Sequence, residues 1–452
     1  MSKAEQLKCY VSILRCMVAK PNWWRSFKEA LSHDGWDEQQ LAEYNWKRRL
    51  AILKFAYENS PYYYNLYKNA GLEPGDIKNE TDWCKVPMLA REALRFNFDE
   101  IKIRNLKPGT YALYTTGGST GEPSKVLKDN GFSSRGMIWR SGVWAGKQFG
   151  QNSAVIMRTH PTDWKGRVRN FLASWPAKKI MLDAGDMSEQ NIRQFIEEWR
   201  RYKPQSVSSY VGGVHELAIY CLQHGIELPP PKVISTTAAP LEDIVRQTIS
   251  RAFHAPVYDN YVATEAHPMA NQCSCQVDAG ERSLHIHSDY RHLEFVDDVG
   301  RPMPVGEVGD ILVTDLGDKV FPIVRYRLGD RGRALPGKCR CGRPYPLMDA
   351  VHGRSFDFIY LKDRRIMGEC WATAFDDCLY AIHNFQIHQF ADKSVELSVV
   401  INDKYPEAKA CVQGVAKSLQ AQLGDIPLKV VYKDFIPHNR GKIKYIISDI
   451  KE

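Results

Sequence analysis

The stretch Leu113-Tyr-Thr-Thr-Gly-Gly-Ser-Thr-Gly-Glu-Pro-Ser-Lys125 interleaves three glycines with hydroxyl residues and ends on a lysine. Glycine lets the backbone approach a ligand at φ angles that other residues avoid. Successive backbone N–H groups in such a turn can form a concave anion site, to which the hydroxyls and the lysine add donors and charge. The stretch therefore predicts a phosphate-binding loop.

This loop differs from a Walker A loop. The Walker A motif ends in Gly-Lys-Ser/Thr at the start of a helix, whereas here the lysine follows Pro123 and Ser124 and no helix start comes directly after it. Clusters of Gly, Ser and Thr are also typical of ordinary loops without a ligand. Motifs elsewhere in the chain distinguish between these two interpretations.

The composition is that of a globular protein with two or three domains. The chain has 452 residues, of which 44% are hydrophobic and 25% charged, and its net charge is +8. Lys and Arg are scattered, so no block of like charge predicts nucleic-acid binding. There are eleven cysteines, with neither a signal-peptide pattern nor an apolar run of membrane-spanning length. These features predict reduced thiols in a cytoplasmic protein without a membrane partner.

Strand-like and helix-like segments alternate through residues 111–259. Short apolar runs such as 154–157 and 233–237 are typical of buried strands, and segments such as 187–202 and 214–224 are typical of helices. The alternation predicts an α/β fold with a largely parallel sheet. Ligands of such sheets bind beyond the carboxyl ends of the strands.

The flanking regions have other textures. Residues 2–94 are predicted to be mainly helical, and residues 284–326 to form antiparallel β-structure with tight turns. The predicted organisation is a large N-terminal domain, residues 1–353, with parallel-rich sheets and a β subdomain. A small α+β domain, residues 354–452, is predicted to follow it.

Several motifs, in this order along the chain, resemble those of the adenylate-forming (acyl/aryl-CoA synthetase, AMP-binding) superfamily. More narrowly, the chain is similar to the phenylacetate–CoA ligase and CapK-like branch, from Ser60 onward, and the Pro-x-Lys of the glycine-rich loop fits that branch. The resemblance implies that the loop clasps the β- and γ-phosphates of ATP. The loop residues concerned are Thr116, Gly117, Gly118, Ser119, Thr120, Gly121 and Lys125.

The segment Asp259-Asn-Tyr-Val-Ala-Thr-Glu265 is similar to the Tyr-Gly-x-Thr/Ser-Glu motif of that family. The resemblance implies that Tyr261 stacks near adenine, that Thr264 contacts the α-phosphate and that Glu265 holds Mg²⁺. One carboxylate with nucleotide phosphates suits this hard cation. Val262 replaces the usual glycine, and its branched side chain should narrow the acyl pocket.

Further motifs complete the implied nucleotide site. The segment Tyr326-Arg-Leu-Gly-Asp330 matches one whose aspartate binds the ribose hydroxyls of the nucleotide. A carboxylate is a strong acceptor of hydrogen bonds from hydroxyl groups. An ordinary Gly-Asp turn is the alternative interpretation. The segment 237–241 matches one that lines the adenine and acyl pocket. The remaining implied contacts are Ala238, Ala239, Pro240, Asp259 and Asn260.

Two motifs near the C-terminus resemble the mobile part of the family's machinery. In Gly353-Arg-Ser-Phe-Asp357, the resemblance implies that Arg354 reaches the nucleotide and that Asp357 is the pivot between the domains. Asn439-Arg-Gly-Lys-Ile-Lys444 resembles the catalytic lysine motif. It implies that Lys442, or failing it Lys444, stabilises charge on the carboxylate and the α-phosphate during adenylation.

The resemblance implies two steps: a carboxylic acid and ATP form an acyl-adenylate and pyrophosphate, and a nucleophile then takes the acyl group. The acceptor is the thiol of CoA or of a carrier protein, or an amine or hydroxyl in polysaccharide or natural-product biosynthesis. The loop 362–368 departs from the family's Arg-Gly loop, which lines the acceptor tunnel, and favours the second alternative, whereas the branch as a whole favours CoA, which is the acceptor predicted here. A nucleotide-binding protein without catalysis would lack Glu265 or Lys442, and both are present.

Two Cys-x-Cys pairs, 273–275 and 339–341, lie on either side of His285 and His287. Thiolates and imidazole suit a closed four-coordinate Zn²⁺ site, which is structural because no coordination position stays open. Similar Cys and His pairs occur in the branch that the chain resembles. The alternative is a set of free reduced thiols. The predicted zinc ligands are Cys273, His285, Cys339 and Cys341, with Cys275 or His287 as substitutes.

Overall fold

The fold was analysed in a computed structural model of the 452-residue chain. The structure describes the following residues: 3–115, 125–131, 134–157, 172, 174–184, 186–351, 358–362, 365–367, 371, 375, 381–436 and 445–450.

The N-terminal region is helical, as the sequence predicts. Helix α3 begins after a capping box formed by Asp37 and Gln40 and ends at Asn59, with Ser60 as its C-cap directly before Pro61. Within the described residues the α-helices are α1 Lys3–Ala19, α2 Pro21–Ser32, α3 Glu38–Asn59, α4 Pro61–Asn69, α5 Glu80–Trp83, α6 Arg91–Phe96, α7 Phe98–Ile101, α8 Arg135–Trp144, α9 Glu189–Tyr202, α10 Val211–Gln223, α11 Asp243–Phe253, α12 Ser274–Asp278 and α13 Ala408–Leu423.

The strands of the described residues belong to several sheets. They are β1 Tyr111–Thr115, β2 Lys125–Asp129, β3 Ser153–Met157, β4 Lys179–Asp183, β5 Ser206–Tyr210, β6 Val233–Thr237, β7 Val257–Tyr261, β8 Ala270–Asn271, β9 Leu284–Ile286, β10 Arg291–Val296, β11 Gly309–Asp315, β12 Tyr326–Gly332, β13 Ala334–Leu335, β14 Leu347–Met348, β15 Phe358–Tyr360, β16 Arg365–Met367, β17 Ile382–Gln389, β18 Val395–Ile401, β19 Leu428–Tyr432 and β20 Ile446–Ser448.

The backbone divides into two compact units. The first unit contains residues 1–12, 147–259 and 352–452, and the second contains residues 13–146 and 260–351. The predicted boundary between residues 353 and 354 falls outside the described residues and stays a prediction.

The first unit contains a parallel sheet with the strand order β4-β3-β5-β6-β7, which confirms the predicted α/β class. Ala154 and Ile156 of β3 are fully buried. Helix α10 lies close to this strand, because a Cβ at Gly213 would come within 2.9 Å of the Ile156 side chain. The sheet therefore places the carboxyl ends of β5 and β6 side by side, with Tyr210 paired to Thr237.

The same unit contains a second sheet with the order β19-β18-β17-β20. Strands β17 and β18 are antiparallel, whereas β19 runs parallel to β18 and β20 runs parallel to β17. Helix α13 connects β18 to β19 and buries Val412 and Leu419 among its inner side chains. This α+β arrangement agrees with the small C-terminal region that the strand and helix pattern predicts.

The second unit is rich in antiparallel strands. It contains the sheet β10-β11-β12, the hairpin β1–β2 and the strands β8, β9, β14 and β13, which follow the end of β7. In the described part of the chain, no helix has both the length and the apolar character needed to cross a bilayer.

Candidate active site

The glycine-rich stretch joins the two strands of an antiparallel hairpin. Thr115 at the end of β1 is opposite Lys125 at the start of β2. The hairpin is anchored within the second unit by two side chains of β2: Val126 is fully buried and Leu127 is nearly so. The predicted phosphate contacts Thr116, Gly117, Gly118, Ser119, Thr120 and Gly121 lie outside the described residues.

Cationic side chains border an open cleft beside this hairpin. The cleft has a volume of about 640 Å³, and its lining includes Lys102, Arg104, Tyr111 and Lys125. Lys102 is paired with Asp99 at 2.5 Å. The lining thus contains three cationic side chains and one carboxylate, that of Asp99. This excess of positive charge favours an anionic ligand near the base of the loop.

In the first unit, the segment 238–240 follows β6 directly. Ala238 has a φ angle of +75°, in the left-handed region that residues with a Cβ rarely adopt. Thr236 donates a hydrogen bond to the carbonyl of Tyr258 at 3.0 Å, and it pairs with the buried Asp259. The turn is therefore fixed at the carboxyl edge of the parallel sheet, where ligands of α/β proteins bind.

In the second unit, two of the predicted nucleotide motifs exchange hydrogen bonds. The hydroxyl of Tyr261, from the first motif, donates to Asp330 Oδ2 at 3.0 Å. The hydroxyl of Tyr326, from the second motif, donates to Glu265 Oε1 at 3.3 Å. Each motif thus orients the carboxylate of the other, although the paired residues are 69 and 61 positions apart in the chain.

The two tyrosines are themselves held firmly. Tyr326 is 1% exposed and Tyr261 is 8% exposed, and both pack in the hydrophobic core of the second unit. Burial and the neighbouring Glu265 raise the pKa of Tyr326, so it stays a proton donor. Glu265 and Asp330 are half-buried and keep part of their surface accessible.

The turn Thr264–Ala266 that carries Glu265 rests on an arginine that the sequence motifs do not reveal. Arg291 is 1% exposed; it donates from Nε to the carbonyl of Ala266 at 3.1 Å and from Nη2 to that of His267 at 2.7 Å. Burial, Arg291 and other cations lower the pKa of His267 to about 3, which keeps this histidine neutral. No local signal marks Arg291 as a support of this turn, because the two carbonyls that it holds there lie more than twenty residues away in the chain.

The four predicted zinc ligands converge in the second unit. Their ligand atoms all lie within 4.8 Å of one another. The Sγ atoms of Cys273 and Cys339 are 3.6 Å apart, and Cys341 Sγ is 3.4 Å from His285 Nε2. Tetrahedral zinc bonds of about 2.3 Å to sulfur and 2.0–2.1 Å to nitrogen give edges of about 3.8 and 3.6 Å. The two separations of 3.6 and 3.4 Å are close to the edges of a ZnS₃N tetrahedron.

The surroundings of this Cys/His group are apolar. Cys273 and Cys339 pack with Leu41, Trp144 and Leu347 in one buried cluster. Cys273 lies at the N-terminus of α12, and His285 lies on β9. Against the effect of burial, the hydrogen bond with His285 lowers the pKa of Cys341 to about 6.

The two predicted substitute ligands lie apart from the group. Cys275 packs beside the cluster without joining the four converging atoms. His287 is committed to another network: its Nε2 is 3.1 Å from the hydroxyl of Ser141, and its Nδ1 contacts Arg140.

Arg140 organises that neighbouring network. It is fully buried and donates to Asp289 Oδ1 at 3.0 Å, to the hydroxyl of Tyr345 at 2.7 Å and to the carbonyl of Ala30 at 2.9 Å. Against the effect of burial, Arg140 holds the pKa of Asp289 well below its usual range. The network ties α2 and α8 to the segment that follows β9, which contains His287 and Asp289.

The remaining predicted site residues, Arg354, Asp357 and Lys442, lie outside the described residues.

Comparison with known proteins supports the resemblance that the motifs carry. The chain is 25% identical over 342 residues to phenylacetate–coenzyme A ligase of Pseudomonas putida, covering 74% of each chain. It is 24% identical over 285 residues to protein CapK of Staphylococcus aureus, covering 60% of this chain and 58% of CapK, less than two thirds of that protein. The chain is similar in sequence to these proteins. No protein-family model matches it.

Solved structures of such ligases share the fold. A 2-hydroxyisobutyryl-CoA ligase in the postadenylation state superimposes with a TM-score of 0.71 at 18% identity, covering 89% of this chain and 88% of that one. The amide bond synthetase McbA of Marinactinospora thermotolerans superimposes with a TM-score of 0.52 at 16% identity, over 75% of this chain and 68% of that one. Both likenesses concern the fold.

Replacing Arg140 by Met should destabilise the second unit strongly. The substitution leaves Asp289 buried without its main cation, a loss that costs about 3–5 kcal/mol in comparable buried pairs. Arg301→Met is the matched control, because Arg301 is 78% exposed and pairs with Asp297 at the surface. Chemical denaturation of both variants measures the difference; equal stability would show that the buried network contributes little.

Proposed function

We propose that this protein is an ATP-dependent, AMP-forming acid ligase. In the proposed reaction, a carboxylic acid and ATP give an acyl-adenylate and pyrophosphate, and the acyl group then passes to the thiol of CoA. The observation that carries this proposal is the reciprocal pair of hydrogen bonds by which Tyr261 orients Asp330 and Tyr326 orients Glu265. The relatives named phenylacetate–coenzyme A ligase support it.

The described residues suit the nucleotide part of this reaction. The carboxylate of Asp330 would accept hydrogen bonds from the ribose hydroxyls, in an orientation fixed by Tyr261. Glu265 would hold Mg²⁺, which supplies positive charge at the phosphate oxygens when it is bound. Lys125 and the backbone N–H groups of its loop would hold the β- and γ-phosphates.

The sequence motifs supply the remaining roles. Displacement at the α-phosphorus depends on positioning and charge stabilisation rather than on a covalent intermediate with a side chain. Lys442 would stabilise the charge that develops on the carboxylate and the α-phosphate, and Arg354 would contact the nucleotide. A rotation of the C-terminal region about Asp357 would then admit the acceptor, a type of step that often limits turnover.

A second candidate differs in the acceptor. The loop 362–368 departs from the family's acceptor-tunnel motif, which favours transfer to an amine or hydroxyl over transfer to CoA or a carrier thiol. The amide bond synthetase among the structural neighbours shows that this fold also occurs in an enzyme of that type.

We also propose that Cys273, His285, Cys339 and Cys341 hold a structural Zn²⁺. The spacing of their ligand atoms and the apolar cluster around them fit a closed four-coordinate site. The separation of 3.6 Å between the Cys273 and Cys339 sulfurs is far longer than a disulfide bond of about 2.05 Å. None of the nine described cysteines forms a disulfide, which fits a reducing cytoplasm.

Replacing Lys442 by Ala should lower acid-dependent ATP–pyrophosphate exchange by at least about 100-fold, because a donor aimed at developing charge contributes that much to catalysis. Binding of ATP, measured by calorimetry, should change little. Lys433→Ala serves as a control, because that lysine pairs with Glu396 at the surface of the C-terminal region. Full exchange activity in Lys442→Ala would refute the assignment, and loss in Lys444→Ala instead would transfer the role to Lys444.

Replacing Cys339 by Ser should remove about one equivalent of zinc per chain and lower the stability of the second unit, because structural zinc sites contribute directly to folding. Cys275→Ser is the matched control, since Cys275 packs beside the cluster without joining its four ligand atoms. Elemental analysis and thermal denaturation of the purified variants measure both effects. Zinc at less than a tenth of an equivalent in the wild-type protein, after purification without chelators, would contradict the proposal.

A further inference from the structure

Three consecutive carbonyl groups of the turn that carries Glu265 accept hydrogen bonds from cationic side chains. Lys128 Nζ donates to the carbonyl of Glu265 itself at 2.6 Å. Arg291 holds the next two carbonyls, those of Ala266 and His267. Hydrogen bonds from charged donors are stronger than neutral ones. The backbone at Glu265 is therefore fixed from one side by a lysine that lies outside the sequence motifs.

Two buried carboxylates hold these cations in place. Asp315 is 1% exposed; it lies 2.8 Å from Arg291 Nη1 through Oδ1 and 3.4 Å from Lys128 Nζ through Oδ2. Asp318 Oδ2 lies 3.8 Å from Lys128 Nζ. Against the effect of burial, Arg291 and Lys128 hold the pKa of Asp315 below its usual value. The ammonium group of Lys128 thus occupies a position defined by three oxygen atoms.

Lys128 also belongs to the hairpin that carries the glycine-rich loop. It lies on β2, three residues after Lys125, and pairs with Ala112 of β1. The next residue, Asp129, donates its backbone N–H to Asp318 Oδ2 at 3.2 Å, so this strand is anchored twice to the same acidic pair. Lys128 therefore connects the base of the phosphate-loop hairpin directly to the backbone of Glu265, which lies 137 residues further along the chain.

We propose that Lys128 is a positioning residue that sets Glu265 at a fixed distance from the phosphate-loop hairpin. This inference rests on the proposed function, in which Glu265 holds Mg²⁺ and the loop holds the phosphates. A Mg²⁺ ion shared between a carboxylate and phosphate oxygens requires a fixed distance between the two ligands, because Mg²⁺ tolerates little departure from octahedral geometry. Lys128 would fix that distance through the backbone of Glu265, without contact to nucleotide or metal.

Calorimetry can distinguish a Lys128 that positions Glu265 from a Lys128 that only neutralises the charge of Asp315 and Asp318. Calorimetry measures ATP binding to the full-length protein in excess Mg²⁺ and again in EDTA, and the ratio of the two affinities reports the contribution of the metal. In Lys128→Met this ratio should fall by about tenfold, as for other groups that support a metal ligand indirectly. The affinity in EDTA should stay within about twofold of that of the wild-type protein.

Two further variants keep the test decisive. Lys128→Arg retains the positive charge beside the two carboxylates and should fold with nearly the stability of the wild type. Its guanidinium is longer and wider than the ammonium group, so a hydrogen bond to the Glu265 carbonyl would require a shifted backbone, and the affinity ratio should still fall by at least about threefold. Lys54→Met is the matched control, because Lys54 is 69% exposed and pairs only weakly with Glu58 at 3.8 Å; its ratio should equal that of the wild type.

The outcomes are distinguishable. Suppose that the wild-type protein binds Mg·ATP more tightly than metal-free ATP. An affinity ratio in Lys128→Arg equal to that of Lys54→Met would then overturn the role of Lys128 and leave the proposed function intact. Wild-type protein that binds ATP equally well with and without Mg²⁺ would overturn the assignment of Glu265, and the role of Lys128 with it.

Discussion

Two hydrogen bonds from tyrosine to carboxylate hold the candidate nucleotide site together. Tyr261 donates to Asp330, and Tyr326 donates to Glu265. Both tyrosine rings are buried in the core of the second unit, so each carboxylate is oriented by a donor that packing holds in place. The exchange links two motifs far apart in the chain, so the site depends on the core that keeps the two tyrosines in register.

Buried cations support the irregular segments of the same unit. Arg291 satisfies the carbonyls of the turn after Glu265, and Arg140 holds α2 and α8 beside the Cys/His group. Arg325 does the same for another loop region, donating to the carbonyls of Cys84, Val86 and Gly300 while paired with Glu294. Backbone carbonyls in loops lack the partners that helices and sheets supply, and an unpaired buried carbonyl is costly. A guanidinium group with five donors suits this task, provided that a carboxylate neutralises it.

Much of the fold follows from local sequence patterns. The apolar runs 154–157 and 233–237 identify two strands of the parallel sheet, and the spacing of Cys and His residues identifies four atoms that converge within 4.8 Å. Helix α10 begins three residues before the predicted start at Val214. The prediction missed these residues because two of them are glycines, which have low helix propensity. Gly213 is needed there because a larger residue would clash with Ile156. The contacts of Lys128 and Arg291 were beyond prediction, since they depend on strands far apart in sequence and on no local pattern.

The proposed activation of a carboxylic acid by adenylation is tested most directly by ATP–pyrophosphate exchange. The wild-type protein is assayed against a panel of aliphatic and aromatic carboxylic acids, with Mg²⁺ and without CoA. We expect exchange that depends on one acid or one narrow class of acids and that disappears when Mg²⁺ is chelated. Acid-independent exchange, or no exchange with any acid in protein that binds Mg·ATP, would contradict the proposed function.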